Sequence, residues 1–82
     1  MGLKKLAARV AEYNERLEHG KAYEIKPSHV ERVLEKLHRK LADLEEEIAN
    51  TKKADKKARL TKKLNITREH IKRAEWLLQE IK

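Results

Sequence analysis

From Ser28 to the C-terminus the chain contains neither glycine nor proline. Within that span, two series of residues recur at alternating steps of four and three. The first is Val30, Leu34, Leu37, Leu41, Leu44 and Ile48; the second is Leu60, Leu64, Thr67, Ile71, Ala74, Leu78 and Ile81. A 4-3 alternation is the mark of a helical seam, with every member on one side of the helix. In heptad terms, Leu34, Leu41 and Ile48 stand at position a with Val30, Leu37 and Leu44 at d. In the second series Leu64, Ile71 and Leu78 stand at a, with Leu60, Thr67, Ala74 and Ile81 at d.

A single long helix and a folded hairpin are the two options, and geometry separates them. At about 100° per residue, the step from Ile48 to Leu60 rotates the stripe by roughly 120°, so one continuous helix would present its two seams on different sides. Folded back, the seams meet: Ile48 with Leu60, Leu44 with Leu64, Leu41 with Thr67, Leu37 with Ile71, Leu34 with Ala74, and Val30 with Leu78. All six pairs are symmetric about Ala54, and each sets an a position against a d position, as an antiparallel coiled coil requires. The smallest seam residues, Thr67 and Ala74, each fall opposite a leucine, which balances volume across the layers. The reading is a helix over about 28–50, a turn over 51–55 and a helix over about 56–81. Asn50 and Thr51 end the first arm, Asp55 caps the second, and Glu47 falls near Lys63.

One electrostatic feature opposes the hairpin. Glu45, Glu46 and Glu47 lie towards the C-terminal end of one arm, and Lys56 and Lys57 near the N-terminal end of the next. Each placement runs against the helix dipole, at about 0.3–1 kcal/mol. Aliphatic seam side chains contribute roughly 1.5–3 kcal/mol apiece on burial, so the hairpin wins.

Ahead of the hairpin, Leu3, Leu6, Val10, Tyr13 and Leu17 form another stripe, predicting a helix over 3–18 with Gly20 as its left-handed terminator. The connector over 19–27 carries Tyr23 and Ile25, and both are expected to pack down. Ser28 with Glu31 fits a capping box, with Pro27 as first helical residue the alternative. Val33, Ile66 and Leu77 extend apolar surface on one flank of the hairpin. The first helix is expected there, at the open end, with the hairpin tip projecting beyond it. The expected fold is therefore an all-α three-helix bundle in one domain, an antiparallel helical hairpin with a shorter N-terminal helix. Pairing of first-helix stripes between two chains, giving a homodimer, is the alternative.

Residues 50–63 carry seven basic side chains and one acid, +6 of the chain's total +7. Lys52, Lys53, Lys56, Lys57, Arg59, Lys62 and Lys63 thus gather at the expected tip. Such a cluster suits contact with RNA or DNA phosphates, or with an acidic protein surface. It also suits a solvated end that resists aggregation. No aromatic is interleaved for base stacking and the cluster holds a single arginine, so nucleic-acid contact would carry no sequence preference. Trp76, at position f, is either covered by the first helix or connector or serves with Tyr13 and Tyr23 as a protein-interface anchor.

Other chemistries find little support. There is no cysteine, His38 and His70 fall on opposite flanks, and no His-x-x-x-His spacing occurs, so no metal site is expected. No phosphate loop, nucleophile with matching base or cofactor fingerprint is present, so neither enzyme activity nor a cofactor is expected. No apolar run approaches the roughly 18 residues of a membrane span. The Met-Gly start invites a myristoylation reading, but Leu6 stands where serine or threonine is expected. The first helix carries glutamates and no tryptophan, which argues against a membrane-surface role. A cytoplasmic location is the expectation.

Overall fold

The computed structural model of the chain describes residues 3–81. The Met1–Gly2 start, with its myristoylation reading, and Lys82 lie outside that range. Three α-helices appear in order: α1 over Leu3–Glu18, α2 over Pro27–Asn50 and α3 over Ala54–Ile81, with a short 3₁₀ turn at Ala22–Glu24 between the first two. Helices α2 and α3 fold back on one another as an antiparallel hairpin, and α1 packs against both. The result is a rod of 47 × 19 × 18 Å, and α3 at about 1.5 Å per residue runs most of its length.

The ends of the helices follow local chemistry. Gly20 has φ 72°, a conformation in which a Cβ would be strained. Around it, the Lys21 N–H donates to the Arg16 carbonyl at 2.8 Å and the Gly20 N–H to the Leu17 carbonyl at 3.1 Å, the paired bonds of a Schellman stop. Helix α2 begins at Pro27 with Lys26 at the cap and no side-chain cap bond. The Ser28–Glu31 capping box therefore does not form, because the proline ring pre-sets φ and starts the helix one residue earlier, leaving Ser28 already helical. Thr51 turns extended at the far end of α2, and its N–H still donates to the Glu47 carbonyl at 2.9 Å.

The turn is tighter than its sequence implies. Only residues 51–53 lie outside helix, and the Lys57 N–H already donates to the Lys53 carbonyl at 3.0 Å. Asp55 accordingly sits inside the first turn of α3 rather than capping it, where its carboxylate still complements the helix dipole.

Two apolar clusters hold the rod together. The larger gathers Leu6, Val10 and Tyr13 of α1, Ile25 of the connector, Val30, Val33 and Leu37 of α2, and Ile71, Ala74 and Leu77 of α3. The smaller consists of Leu44, Leu60 and Leu64, with Ile48 packed against it and Leu41 bridging to the larger one. Helix α1 contributes nothing to the smaller cluster, so the tip is a two-helix structure and the open end a three-helix one. Helix α1 buries Leu6, Val10 and Tyr13 of its stripe inside its own chain, with Leu3 and Leu17 partly buried beside them.

Burial along the seam records where α1 lies. Val33 and Leu77, both at position g, are buried, so α1 covers the g flank as expected. Ile66, one position further round at c, remains 43% exposed, contrary to the expectation that it joins this flank. On the other side, Leu34, Leu41 and Ile48 at position a are only half-buried, because no third helix covers them. Thr67 is fully buried, and its hydroxyl donates to the Lys63 carbonyl at 2.8 Å. A polar group is thereby carried in the seam without an unmet hydrogen bond.

The unequal cores predict unequal local stability. Amides of the tip, residues 44–64, should exchange with solvent faster than those of α2 and α3 near Leu37 and Ile71. Leu44→Ala should accelerate exchange mainly at the tip, whereas Leu37→Ala should lower global stability by about 2–5 kcal/mol in urea unfolding. Uniform exchange along the rod would contradict the two-part core.

Candidate nucleic-acid interface

The seven basic residues of the tip are all exposed: Lys52 and Lys53 in the turn, and Lys56, Lys57, Arg59, Lys62 and Lys63 on the first turns of α3. None of them takes part in an ion pair among the described residues. The pairs that do form lie elsewhere and are local, including Arg16 with Glu12 and Arg39 with Glu35. The pairing of Glu47 with Lys63 across the hairpin is not made. Unpaired, exposed cations on a narrow end are well hydrated and attract counter-ions, the condition in which phosphate contact releases them.

Folding nevertheless alters the electrostatics of this end. One open groove at the tip is lined by Lys40, Asp43, Glu46, Glu47, Asn50, Thr51, Lys52, Lys53 and Lys56. Three carboxylates thus face the same groove as the turn lysines, and residues 43–63 together sum to +2. Lys57, Arg59, Lys62 and Lys63 do not line that groove. Lys52, Lys53 and Lys56 therefore share a mixed, partly neutralised groove, and the other four basic residues stand outside it, spread around α3.

The aromatic residues separate. Tyr13 is 5% exposed, and the Arg16 guanidinium lies 5.9 Å from its ring centre. It is a core residue capped by a cation. Tyr23 is 81% exposed while Ile25 is 3% exposed. The short 3₁₀ turn sends one of the two inward and the other to solvent, so the expectation that both pack down holds only for Ile25. Trp76 is 44% exposed. Position f points away from the seam, and α1 on the g flank does not reach round to cover it.

His38 is exposed and His70 half-buried, the latter in the groove between α1 and α3 with Arg73 and Glu69. Among the described residues no three His, Cys, Asp or Glu side chains gather to hold a metal ion. No described helix is long and apolar enough to cross a membrane.

Fold and site together define a class: a small all-α helical-hairpin protein with a basic tip. No protein-family model, curated protein or solved structure matches the chain, so its functional reading comes from its residues alone.

The exposure of Trp76 yields a direct check, since it is the chain's only tryptophan. Acrylamide should quench its fluorescence efficiently in the isolated protein at low concentration. A strongly shielded, blue-shifted indole would mean that this face is covered, by the connector or by a second copy.

Proposed function

We propose that the protein is a small non-enzymatic binding module whose hairpin tip contacts nucleic-acid phosphates by charge, without reading base sequence. The observation that carries this reading is the set of seven exposed basic side chains, none in an ion pair among the described residues, at the end of a rod where α1 adds nothing to the core. The absence of aromatics from the tip supports backbone contact over base stacking. An acidic protein surface would satisfy the same charges, and the salt and strand-type dependence of binding separates the two partners. In this reading Lys57, Arg59 and Lys62, which do not line the groove that holds Asp43, Glu46 and Glu47, carry the larger share of contact.

A second reading, a protein-interaction module, has one specific observation in its favour, the half-exposed Trp76. Large aromatic side chains are enriched at the energetic centres of interfaces. Helix α1 no longer supports it, since its apolar stripe and Tyr13 are buried in the bundle.

Fluorescence anisotropy with labelled duplex DNA, duplex RNA and single strands of unrelated sequence tests the first reading. Each phosphate contact should contribute about 0.9 to the slope of log affinity against log salt. The triple variant Lys57→Glu, Arg59→Glu and Lys62→Glu should abolish binding at moderate salt. Reversal of Lys52, Lys53 and Lys56 should weaken it by a smaller factor. Trp76→Ala should leave it unchanged. Binding that tolerates salt and both triple reversals but disappears with Trp76→Ala would replace the first reading with the second.

A further inference from the structure

A second basic surface lies away from the tip, where α1 crosses α2. Arg9 of α1 and His29, Arg32 and Lys36 of α2 line a groove floored by Val33, with a volume of about 190 Å³. No acidic side chain lines it. We propose that this groove binds a phosphate group, with Arg9 and Arg32 as its principal ligands.

The arrangement of the neighbouring acids is the first argument. On each helix, the glutamate three residues beyond a groove arginine is paired with a different arginine. Glu12, beyond Arg9, pairs with Arg16, and Glu35, beyond Arg32, pairs with Arg39. Arg9 and Arg32 come from different helices to one groove, and neither has an ion-pair partner among the described residues. Two guanidinium groups that line one groove repel one another, and an anion between them relieves that repulsion. Their planar, multiple N–H donors match tetrahedral phosphate oxygens better than a lysine point charge does.

Shape is the second argument. The groove is more enclosed than those at the tip. Its volume of about 190 Å³ leaves room for one phosphate group. An apolar floor at Val33, which is 4% exposed, keeps water from one side and strengthens the field there. His29 stands in the first turn of α2, so the positive end of that helix adds to the potential. One turn further along, Lys5 of α1 and Lys40 of α2 carry the same sign. The tip lysines carry the same sign as well, but they are open to bulk water and share their groove with three carboxylates.

This site does not rest on the reading of the tip. Arg32 and Asn50, at the end of α2, are separated by about 27 Å of helix, with Asp43, Glu46 and Glu47 between them. The phosphate could belong to a free polyphosphate anion or to a nucleic-acid backbone, and the experiment has an arm for each.

Two-dimensional amide spectra should be titrated with sodium pyrophosphate against sodium chloride at matched ionic strength. Saturable shifts should appear at Arg9 and over residues 29–36. Arg9→Gln with Arg32→Gln should weaken binding at least about tenfold, a factor that corresponds to the loss of about one charge-assisted hydrogen bond. Both arginines are exposed, so the variant should fold, and a thermal melt by circular dichroism verifies this. The tip variant Lys52→Glu, Lys53→Glu and Lys56→Glu should bind pyrophosphate as the unaltered chain does. In the second arm, a short thymidine oligonucleotide that moves the same groove amides identifies the backbone as the source of the phosphate. Groove shifts with pyrophosphate and none there with the oligonucleotide identify a free anion. Shifts that fail to saturate, that spread evenly over all exposed lysines, or that persist unchanged in the double glutamine variant would overturn the site. Loss of pyrophosphate binding in the tip variant alone would also overturn it.

Discussion

Everything in this molecule depends on the close approach of α2 and α3 through a seam that is large on one side and small on the other. Leu37 of α2 and Ala74 of α3 are both fully buried. Ala74 and Thr67 give α3 a low surface where α2 presents leucines, so the helices can lie near enough to exclude water from the layers between them. That approach brings Val33 and Leu77 to the same flank, and the pair makes an apolar step on which α1 can bury Leu6, Val10 and Tyr13. Helix α1 is too short to bury these residues by itself. Its order follows from the hairpin, and the groove at Arg9 and Arg32 follows from α1.

The same geometry accounts for the division of the rod. The step on the g flank ends where the g positions turn from Val33 to Lys40 and Glu47 on α2, and from Leu77 to His70 and Lys63 on α3. Towards the tip there is no apolar flank for a third helix to cover. Leu44, Leu60 and Leu64 are left to hold two helices with help from Leu41 and Ile48. Polar flanks at the tip therefore do two things at once. They terminate the three-helix region, and they free the surface of the last turns of α2 and first turns of α3 for contact with something other than protein core. The carboxylates and lysines gathered there oppose the dipoles of both helices, so local stability is given up at the end of the molecule that is most exposed.

The hairpin was legible in the sequence because it is a property of spacing. Two 4-3 series symmetric about one residue leave few ways to bury both, and the Schellman stop at Gly20 was written in a single glycine. The turn was less legible. Nothing in Thr51–Asp55 demands a left-handed residue or bars a helix, so whether Ala54 and Asp55 belong to the turn is decided by how early the seam pulls α3 into register. The capping box failed for a related reason: Pro27 and Ser28 offered two starts, and the rigid ring took precedence over the side-chain bond. Tyr23, Ile66 and Trp76 were harder still. Each lies outside the periodic stripes, and its burial depends on the angle at which α1 crosses the hairpin, which one-dimensional spacing does not encode.

Charge was legible in amount and misleading in place. Along the chain, residues 50–63 look like a purely basic segment, but a hairpin sets each residue beside those reflected through the turn. Asp43, Glu46 and Glu47 thereby enter the groove of Lys52, Lys53 and Lys56. The converse holds at the other end, where Arg9 and Arg32 are dispersed in sequence, each followed three residues later by a glutamate that would ordinarily be taken as its partner. Folding turns those glutamates to Arg16 and Arg39 and leaves Arg9 and Arg32 in one groove with no ion-pair partner among the described residues. In a helical protein of alternating charge, the potential that a ligand meets is thus set by which i,i+4 pairs close within each helix, because the cations left over are those that the packing of helices can bring together. By that criterion the proposed anion site lies in the α1–α2 groove, although the tip holds more charge.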